Sequence, residues 1–149
     1  MKQMSKNILV INGPNLNMLG IREPDIYGHT TLADINAEIE ALAKELDVNV
    51  SFFQSNSEGA LIDTIQAAYK KMDGIIINPG AYTHYSYAIH DAIKSVAIPT
   101  IEIHLSDIHA REEFRRISVI CPACVEQISG LGKDGYLVAL RHMVEQYAL

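Results

Sequence analysis

Tryptophan is absent from the 149-residue sequence, and only two cysteines are present. No run of 18 apolar residues occurs, which argues against a membrane-spanning helix. Twelve Lys and Arg residues against 18 Asp and Glu residues give a net charge of −6, so no general basic surface is available for nucleic acid. No secretory-signal pattern is found at the start. We therefore expect a soluble cytoplasmic protein with no membrane and no nucleic-acid partner.

Several common motifs are missing from the places where they would act. No G-x-G-x-x-G follows the first apolar run, no G-x-x-x-x-G-K-[ST] loop occurs, and no serine lies in a G-x-S-x-G elbow. The first strand ends in Asn-Gly rather than in paired acids, which weakens the case for a phospho-acceptor receiver domain. The six histidines include no helical H-x-x-x-H pair, so no metal site is indicated.

The two cysteines, Cys121 and Cys124, form a CPAC sequence. This spacing is that of a redox dithiol at the start of a helix. However, the pair lies late in the chain, after an apolar stretch, and two thiols do not complete a tetrahedral metal site. Idle thiols in a reducing cytosol are the favoured interpretation, and the redox alternative stays open.

Apolar runs with strand character alternate with helical patterns along the chain. We predict strands over residues 8–11, 48–54, 74–78, 99–103 and 118–121, and helices over residues 32–46, 58–70, 86–95, 110–116 and 133–148. With no linker or repeat, this order predicts one domain over residues 1–149. The expected fold is α/β and flavodoxin-like, a five-stranded parallel sheet of order 2-1-3-4-5 with helices on both faces.

Residues 12–31, NGPNLNMLGIREPDIYGHTT, form a long connection after the first strand. Connections of this length in compact domains are usually binding loops or lids. Gly20 and Gly28 could act as hinges, so we expect a mobile lid over about residues 19–31. Arg22 and Tyr27 lie within it.

Arg22 and Tyr27 together suggest a phenol that acts as a base. A free phenol has a pKa of about 10, so at pH 7 roughly one in a thousand is ionised. One guanidinium at about 4 Å, at an effective dielectric constant near 20, favours the phenolate by about 4 kcal/mol, which would bring its pKa near 7. Desolvation acts the other way, so the cation must lie close. The alternative, in which Tyr27 packs on the body of the protein, stays open.

Polar residues follow the predicted third and fourth strands, at the sheet edge where α/β proteins bind ligands. Asn78 lies beside a glycine turn, which lets a ligand approach the backbone closely. Glu102 and His104 lie two residues apart in a strand, so both point to one face. A carboxylate can then fix the tautomer of the imidazole and favour its protonated form, which suits a general acid. The alternative is a hydrogen-bonded structural histidine.

Three further residues fit a small anionic or hydroxylated ligand. His84 follows the glycine turn and could donate to a ligand hydroxyl. Arg111 and Arg115 are spaced i, i+4 on one predicted helical face and could clamp an anion, although AREEFRR also reads as a solvated ion-pair face. Two classes of function fit these residues: an enzyme acting on a small anion, and a flavodoxin-like module that binds the anion unchanged.

The segments that carry these residues resemble the type II 3-dehydroquinase family. The resemblance runs from ILVINGPNLNMLG and REPDIYG through NPGAYTHYSYAIHDA to IEIHLSDIHAREEFRR and GLGKDGY, in that order. It implies a homododecamer built as a tetramer of trimers, with no cofactor. It also implies anti elimination of water from 3-dehydroquinate through an enolate. The product is 3-dehydroshikimate, in the shikimate pathway of aromatic amino acid biosynthesis.

The resemblance implies a role for each site residue as well. Tyr27 matches the base that removes the proton from carbon 2, and Arg22 matches the lid arginine that favours its phenolate. His104 matches the acid that protonates the carbon-1 hydroxyl, Glu102 orients it, and Asn15 lies near a water that helps to form the enolate. The other matched positions, which hold the substrate or support the lid, are Asn78, His84, Leu105, Ser106, Arg111, Arg115 and, from a neighbouring subunit, Asp91.

The sequence departs from the family pattern at CPACVEQ, residues 121–127. The family pattern begins there with Ser-Pro and has a glycine at the position of Glu126. We expect only local consequences at the sheet edge.

Overall fold

The sheet has five strands in a computed structural model that describes residues 5–21 and 23–147. The strands are β1 (Asn7–Asn12), β2 (Asn49–Gln54), β3 (Gly74–Asn78), β4 (Thr100–His104) and β5 (Glu126–Ser129). All neighbours pair in parallel, in the order β2-β1-β3-β4-β5. The predicted flavodoxin-like strand order is therefore confirmed.

Polar caps set the starts of the main helices. The helices are α1 (Pro24–Tyr27), α2 (Leu32–Leu46), α3 (Glu58–Ala67), α4 (Tyr87–Val96) and α5 (Asp134–His142), which continues as a π turn over Met143–Tyr147. Thr31 and Asp34 form a reciprocal capping box at α2. The hydroxyls of Ser57 and Ser86 each accept an amide N–H in the first turn of α3 and α4. Within the described residues, no helix is both long and apolar enough to cross a membrane.

The strands are apolar on both faces because helices cover both sides of the sheet. Ile8 and Val10 of β1 belong to a buried cluster that includes residues of α2 and α5. The alternate residues Leu9 and Ile11 belong to a second cluster that includes residues of α3 and α4. This period of two along the strand is what a sheet buried on both faces requires.

The prediction of a last strand over residues 118–121 is wrong. The strand lies eight residues later, at Glu126–Ser129, and a 3-10 turn over Cys121–Ala123 precedes it. The Oγ of Ser118 accepts the N–H groups of Ile120 and Cys121, so the chain turns where its apolar residues had suggested extension. The true edge strand buries only Ile128, and one apolar residue gives no recognisable strand signal.

The predicted helix over residues 110–116 is also wrong. Two separate 3-10 turns, Ile108–Ala110 and Glu113–Arg115, take its place. Arg111 lies between them in an extended conformation, with φ −100° and ψ −165°, which interrupts any helix. Arg111 and Arg115 are therefore not brought together by helical periodicity.

The ends of β1 and β3 meet at Gly13 without a side chain between them. Its N–H donates to the carbonyl of Asn78 over 2.8 Å. A Cβ added at Gly13 would lie 2.5 Å from the carbonyl oxygen of Pro79, whereas non-bonded contacts of a Cβ are essentially never shorter than 3.0 Å. A side chain at this position would push the turn after β3 away from β1.

We expect Gly13→Ala to lower the free energy of unfolding by about 1–3 kcal/mol, the usual cost of overpacking. The matched control is Gly59→Ala in α3, where the nearest atom to the new Cβ is Ser57 Oγ at 3.9 Å. That change should be neutral or stabilising by up to about 1 kcal/mol, because alanine favours a helix. Urea unfolding at one protein concentration measures both, and equal midpoints would contradict the argument.

Candidate active site

A cavity of about 220 Å³ opens at the carboxyl ends of the strands. This is the edge of a parallel sheet at which ligands bind in α/β proteins. Eight of the residues predicted from the sequence line it: Asn15, Asn78, His84, His104, Leu105, Ser106, Arg111 and Arg115.

Two other predicted residues, Glu102 and Asp91, do not line the described cavity. Glu102 is fully buried and lies against His104. Asp91 lies on α4 with an exposed side chain, and its carboxylate is 3.0 Å from Nδ1 of His90. The predictions for Arg22 and for the side chain of Tyr27 fall outside the part of the chain that the structure describes.

Glu102 and His104 form a buried pair at the end of β4. Nε2 of His104 hydrogen-bonds to Oε2 of Glu102, so the two side chains do share one face of the strand. Because an ionised carboxylate only accepts, Nε2 carries a proton. Nδ1 is then the nitrogen left to act on a ligand, and the described residues give it no hydrogen-bond partner.

Three more side chains donate to the Glu102 carboxylate. Thr83 Oγ1 lies 2.5 Å from Oε2, and Ser118 Oγ lies 3.0 and 2.9 Å from the two carboxylate oxygens. The lone pairs of Ser118 are occupied by two backbone N–H groups, so its proton is free for the carboxylate. Gln127 Nε2 adds a bond of 3.2 Å. The Glu102 carboxylate is therefore buried away from solvent but accepts several hydrogen bonds.

These contacts decide the charge of Glu102. Burial acts to raise its pKa, but the hydrogen bond and charge of His104 and the bonds from Thr83 and Ser118 outweigh burial. The pKa of Glu102 therefore lies below its ordinary value. Glu102 is therefore a buried carboxylate anion that holds the His104 ring through Nε2.

His84 has the opposite tautomer. Its Nδ1 lies 2.8 Å from the carbonyl oxygen of Ile117, which can only accept, so Nδ1 carries the proton. Burial lowers the pKa of His84, and the nearby positive charges of His104 and Arg115 act in the same direction. The neutral ring offers Nε2 as an acceptor. This reverses the sequence prediction, because a ligand hydroxyl would donate to His84.

A second polar network fixes Asn78 from the other face of the sheet. Its Nδ2 donates to the hydroxyl of Tyr136 over 3.1 Å, and its Oδ1 accepts the N–H of Gly80 over 3.2 Å. Tyr136 is fully buried and donates in turn to Asn12 Oδ1. The carboxamide of Asn78 is thereby held in one orientation, with its second N–H left for a ligand.

Arg111 and Arg115 give the cavity a positive rim. Arg115 Nε is 2.8 Å from the carboxylate of Glu112, and its guanidinium lies 4.6 Å from the centre of the Phe114 ring. Arg111 lies 4.0 Å from carboxylate oxygens of Glu23 and Glu112. Two guanidiniums beside one cavity suit a carboxylate ligand.

The start of the predicted lid is anchored in the core. Leu16 and Leu19 are buried against the cluster under α2. A Cβ at Gly20 would lie 2.9 Å from the carbonyl oxygen of His29, so the two ends of the segment between them lie side by side. Gly20 and Gly28 both have positive φ, at 90° and 79°, which is the conformation that favours glycine.

The cysteine pair does not have the features of a redox site. Burial raises the pKa of Cys121 and Cys124, and the negative charge of Glu102 raises them further. Reactive dithiols need lowered pKa values, so the structure disfavours the redox alternative. Within the described residues, no group of three His, Cys, Asp or Glu side chains is placed to hold a metal ion.

Sequence reasoning missed several residues that support the site: Asn12, Thr83, Ser118, Gln127 and Tyr136. Ser118 had been assigned to a strand, and Tyr136 to a helix whose buried face was not determined. A signal existed only for Thr83, which lies beside His84 in the strand-following turn. At the departure itself, Glu126 bonds to His142 and Tyr147 near the sheet edge, and the expectation of only local consequences stays a prediction.

The fold and the cavity define a flavodoxin-like α/β protein with an acid–base site at the carboxyl edge of its sheet. The sequence profile of the family Dehydroquinase class II matches residues 6–144. This chain therefore belongs to the class II dehydroquinase family.

Individual relatives are similar over nearly their whole length. The 3-dehydroquinate dehydratase of Caldicellulosiruptor bescii is 63% identical over 94% of this chain and 97% of its own. That of Caldicellulosiruptor saccharolyticus is 64% identical over the same shares. The crystal structure of type II dehydroquinase from Butyrivibrio crossotus superposes with a TM-score of 0.92 at 53% identity, covering 95% of this chain and 99% of that one.

We expect Tyr136→Phe to loosen Asn78 without changing the shape of the core. The change removes one hydroxyl and leaves the buried Asn12 Oδ1 and Asn78 Nδ2 without this partner, which should cost about 1–3 kcal/mol of unfolding free energy. Because Asn78 lines the cavity, the affinity for ligand should fall as well. Tyr147→Phe is the matched control, since that hydroxyl bonds to Glu126 outside the cavity. Urea unfolding and a KM measurement compare the two, and equal values would contradict the role of Tyr136.

Proposed function

We propose that this chain removes water from 3-dehydroquinate by anti elimination through an enolate, giving 3-dehydroshikimate. It is a hydro-lyase of the shikimate pathway, as its family membership indicates. The observation that carries the mechanism is the buried Glu102–His104 pair, which leaves the second imidazole nitrogen for the cavity. No cofactor is needed for the proposed steps.

The cavity binds the substrate through its charge and its fixed polar groups. Arg115 binds the substrate carboxylate, and Arg111 supports the lid over the cavity. The backbone at Leu105–Ser106 supplies further hydrogen-bond donors. The free N–H of Asn78 and the Nε2 acceptor of His84 hold hydroxyl groups. These groups are fixed before the ligand arrives, so little ordering is required on binding.

The first step is loss of the proton from carbon 2 to the phenolate of Tyr27. Arg22 favours the phenolate, and closure of the lid over about residues 19–31 brings this pair to the cavity. The electron pair left on carbon 2 forms the enolate with the neighbouring carbonyl. A water near Asn15, at the end of β1, donates a hydrogen bond to the enolate oxygen.

The second step is departure of the carbon-1 hydroxyl. His104, charged beside ionised Glu102, donates its Nδ1 proton to the leaving oxygen as the carbon–oxygen bond breaks. The enolate electrons form the new carbon–carbon double bond, and water leaves. Glu102 keeps Nε2 protonated and the ring in place. To complete the cycle, Tyr27 releases the carbon-2 proton to solvent, and His104 takes up a new proton on Nδ1.

The single domain assembles as a homododecamer, a tetramer of trimers, in the cytoplasm in this proposal. Asp91 would then contribute to the cavity of a neighbouring subunit, which agrees with its exposed position on α4 and its absence from the cavity of its own chain.

Tyr27→Phe and His104→Ala test the two proton transfers. Each should lower kcat by at least about 100-fold, the usual contribution of one positioned acid or base. The measurement is the ultraviolet absorbance of the enone product. Tyr69→Phe, at an exposed position outside both the lid and the described cavity lining, is the control and should retain turnover. Near-normal turnover in either test variant would remove the role assigned to that residue.

The unaltered chain tests the alternative class of function. If it binds 3-dehydroquinate and releases it unchanged, a pure binding module is favoured instead.

Arg22→Ala tests the electrostatic support of the base. Loss of the cation raises the pH at which Tyr27 becomes ionised, so the rise of kcat/KM with pH should move toward the free phenol value of about 10. A pH profile of kcat/KM between pH 5 and 10 measures this shift. A lower rate with an unmoved profile would mean that Arg22 acts only in binding.

A further inference from the structure

Gln127 lies directly opposite Glu102 in the sheet. The two residues are register partners in the parallel ladder between β4 and β5. Side chains of paired residues leave a sheet on the same face, and Nε2 of Gln127 lies 3.2 Å from Oε2 of Glu102. The edge strand, which contributes no residue to the lining of the cavity, thus reaches the acid pair through one amide.

Gln127 differs from the other donors to this carboxylate. Ser118 also accepts two backbone N–H groups, and Thr83 Oγ1 also contacts Ser118 Oγ, so changing either one disturbs more than its bond to Glu102. The side chain of Gln127 has one hydrogen bond within the described residues, the bond to Glu102. Its amide can therefore be removed with little effect on the chain around it.

We propose that Gln127 is a positioning residue. Its amide fixes the Glu102 carboxylate and weakens the attraction of that carboxylate for the Nε2 proton of His104. The Gln127 N–H dipole points its positive end at the carboxylate and stabilises the anion. It also competes with His104 for Oε2, the oxygen that both groups share. Without Gln127, the carboxylate is more basic and less restrained, and His104 transfers its proton to a leaving hydroxyl less readily. This inference rests on the proposed role of His104 as the acid.

Other titratable groups face the pair from the surrounding elements. His84 and Arg115 lie on the turns after β3 and β4, Arg111 lies between the turns after β4, and Cys121 and Cys124 precede β5. None of them changes when Gln127 is replaced. A difference between Gln127 variants is therefore assigned to the amide.

Gln127→Met removes the donor and keeps the length of the side chain. The matched control is Gln66→Met, at an exposed position of α3. In protein labelled with 13C at the glutamate carboxyl carbons, the midpoint for protonation of Glu102 should rise by about half a pH unit or more in Gln127→Met, and stay unchanged in Gln66→Met. Gln127→Glu places a second carboxylate beside the first and should raise the midpoint further, because like charges disfavour ionisation.

Turnover provides the second readout. In Gln127→Met, kcat should fall several-fold with little change in KM, because the amide acts on the acid and does not touch the substrate. A Glu102 midpoint equal to that of Gln66→Met would overturn the proposal, and so would a raised KM with an unmoved midpoint. The titration is made without substrate, so it reads the role of Gln127 even if the unaltered chain fails to dehydrate 3-dehydroquinate.

Discussion

The site depends on one buried carboxylate that remains ionised. Glu102 has no exposed surface, and an isolated charge in such a position would be too costly to keep. Hydrogen bonds from His104, Thr83, Ser118 and Gln127 replace the lost water. Although burial raises the pKa of Glu102, the contacts of His104, Thr83 and Ser118 outweigh it and hold the pKa low. These donors come from β4, from the turn after β3, from the segment before β5, and from β5 itself. The carboxylate thus joins separate parts of the chain at the edge where the ligand binds.

The same principle gives the two histidines of the cavity different chemistry. His104 donates to the Glu102 carboxylate through Nε2, which leaves Nδ1 for a ligand. His84 meets the Ile117 carbonyl through Nδ1 and lies near positive groups, which keeps it neutral and leaves Nε2 as an acceptor. For each histidine, the group that bonds to one ring nitrogen therefore determines how the other ring nitrogen can interact with a ligand.

The strand order follows from local sequence, because it depends on period and position, and so does the place of Asn78, His84 and His104 in the cavity. The rest of the predicted lining rests on the family resemblance or on a helical spacing that the structure does not have. Apolar runs buried on both faces identify β1 and β3, and the two-residue spacing of Glu102 and His104 predicts their contact. The misplaced last strand and the false helix around Arg111 have a common cause. There the chain is shaped by side-chain-to-backbone bonds, such as those of Ser118 and Asp107, which leave no periodic signal.

Gln127 and Tyr136 lie 25 and 58 residues from the side chains they support. Contacts at that separation depend on strand register and helix rotation, which the sequence pattern does not determine.

The two polar networks hold the cavity from opposite layers of the fold. Along β3, Asn78 has the same parity as Ile76, which faces α2 and α5, and the Tyr136 that fixes it comes from α5. Along β4, Glu102 alternates with Ile101 and Ile103, which face that same layer, so Glu102 lies on the opposite face with Thr83 and Ser118. Each network is anchored by fully buried groups. Because these groups are already fixed, no free energy is needed to reorganise them when charge develops on a ligand. In the proposed mechanism the lid segment carries the remaining chemistry, and glycines with positive φ stand near its two ends. A fixed acid half and a lid that brings the base would let a substrate enter, because in this proposal the base needs to be close to its cation only after the ligand is bound.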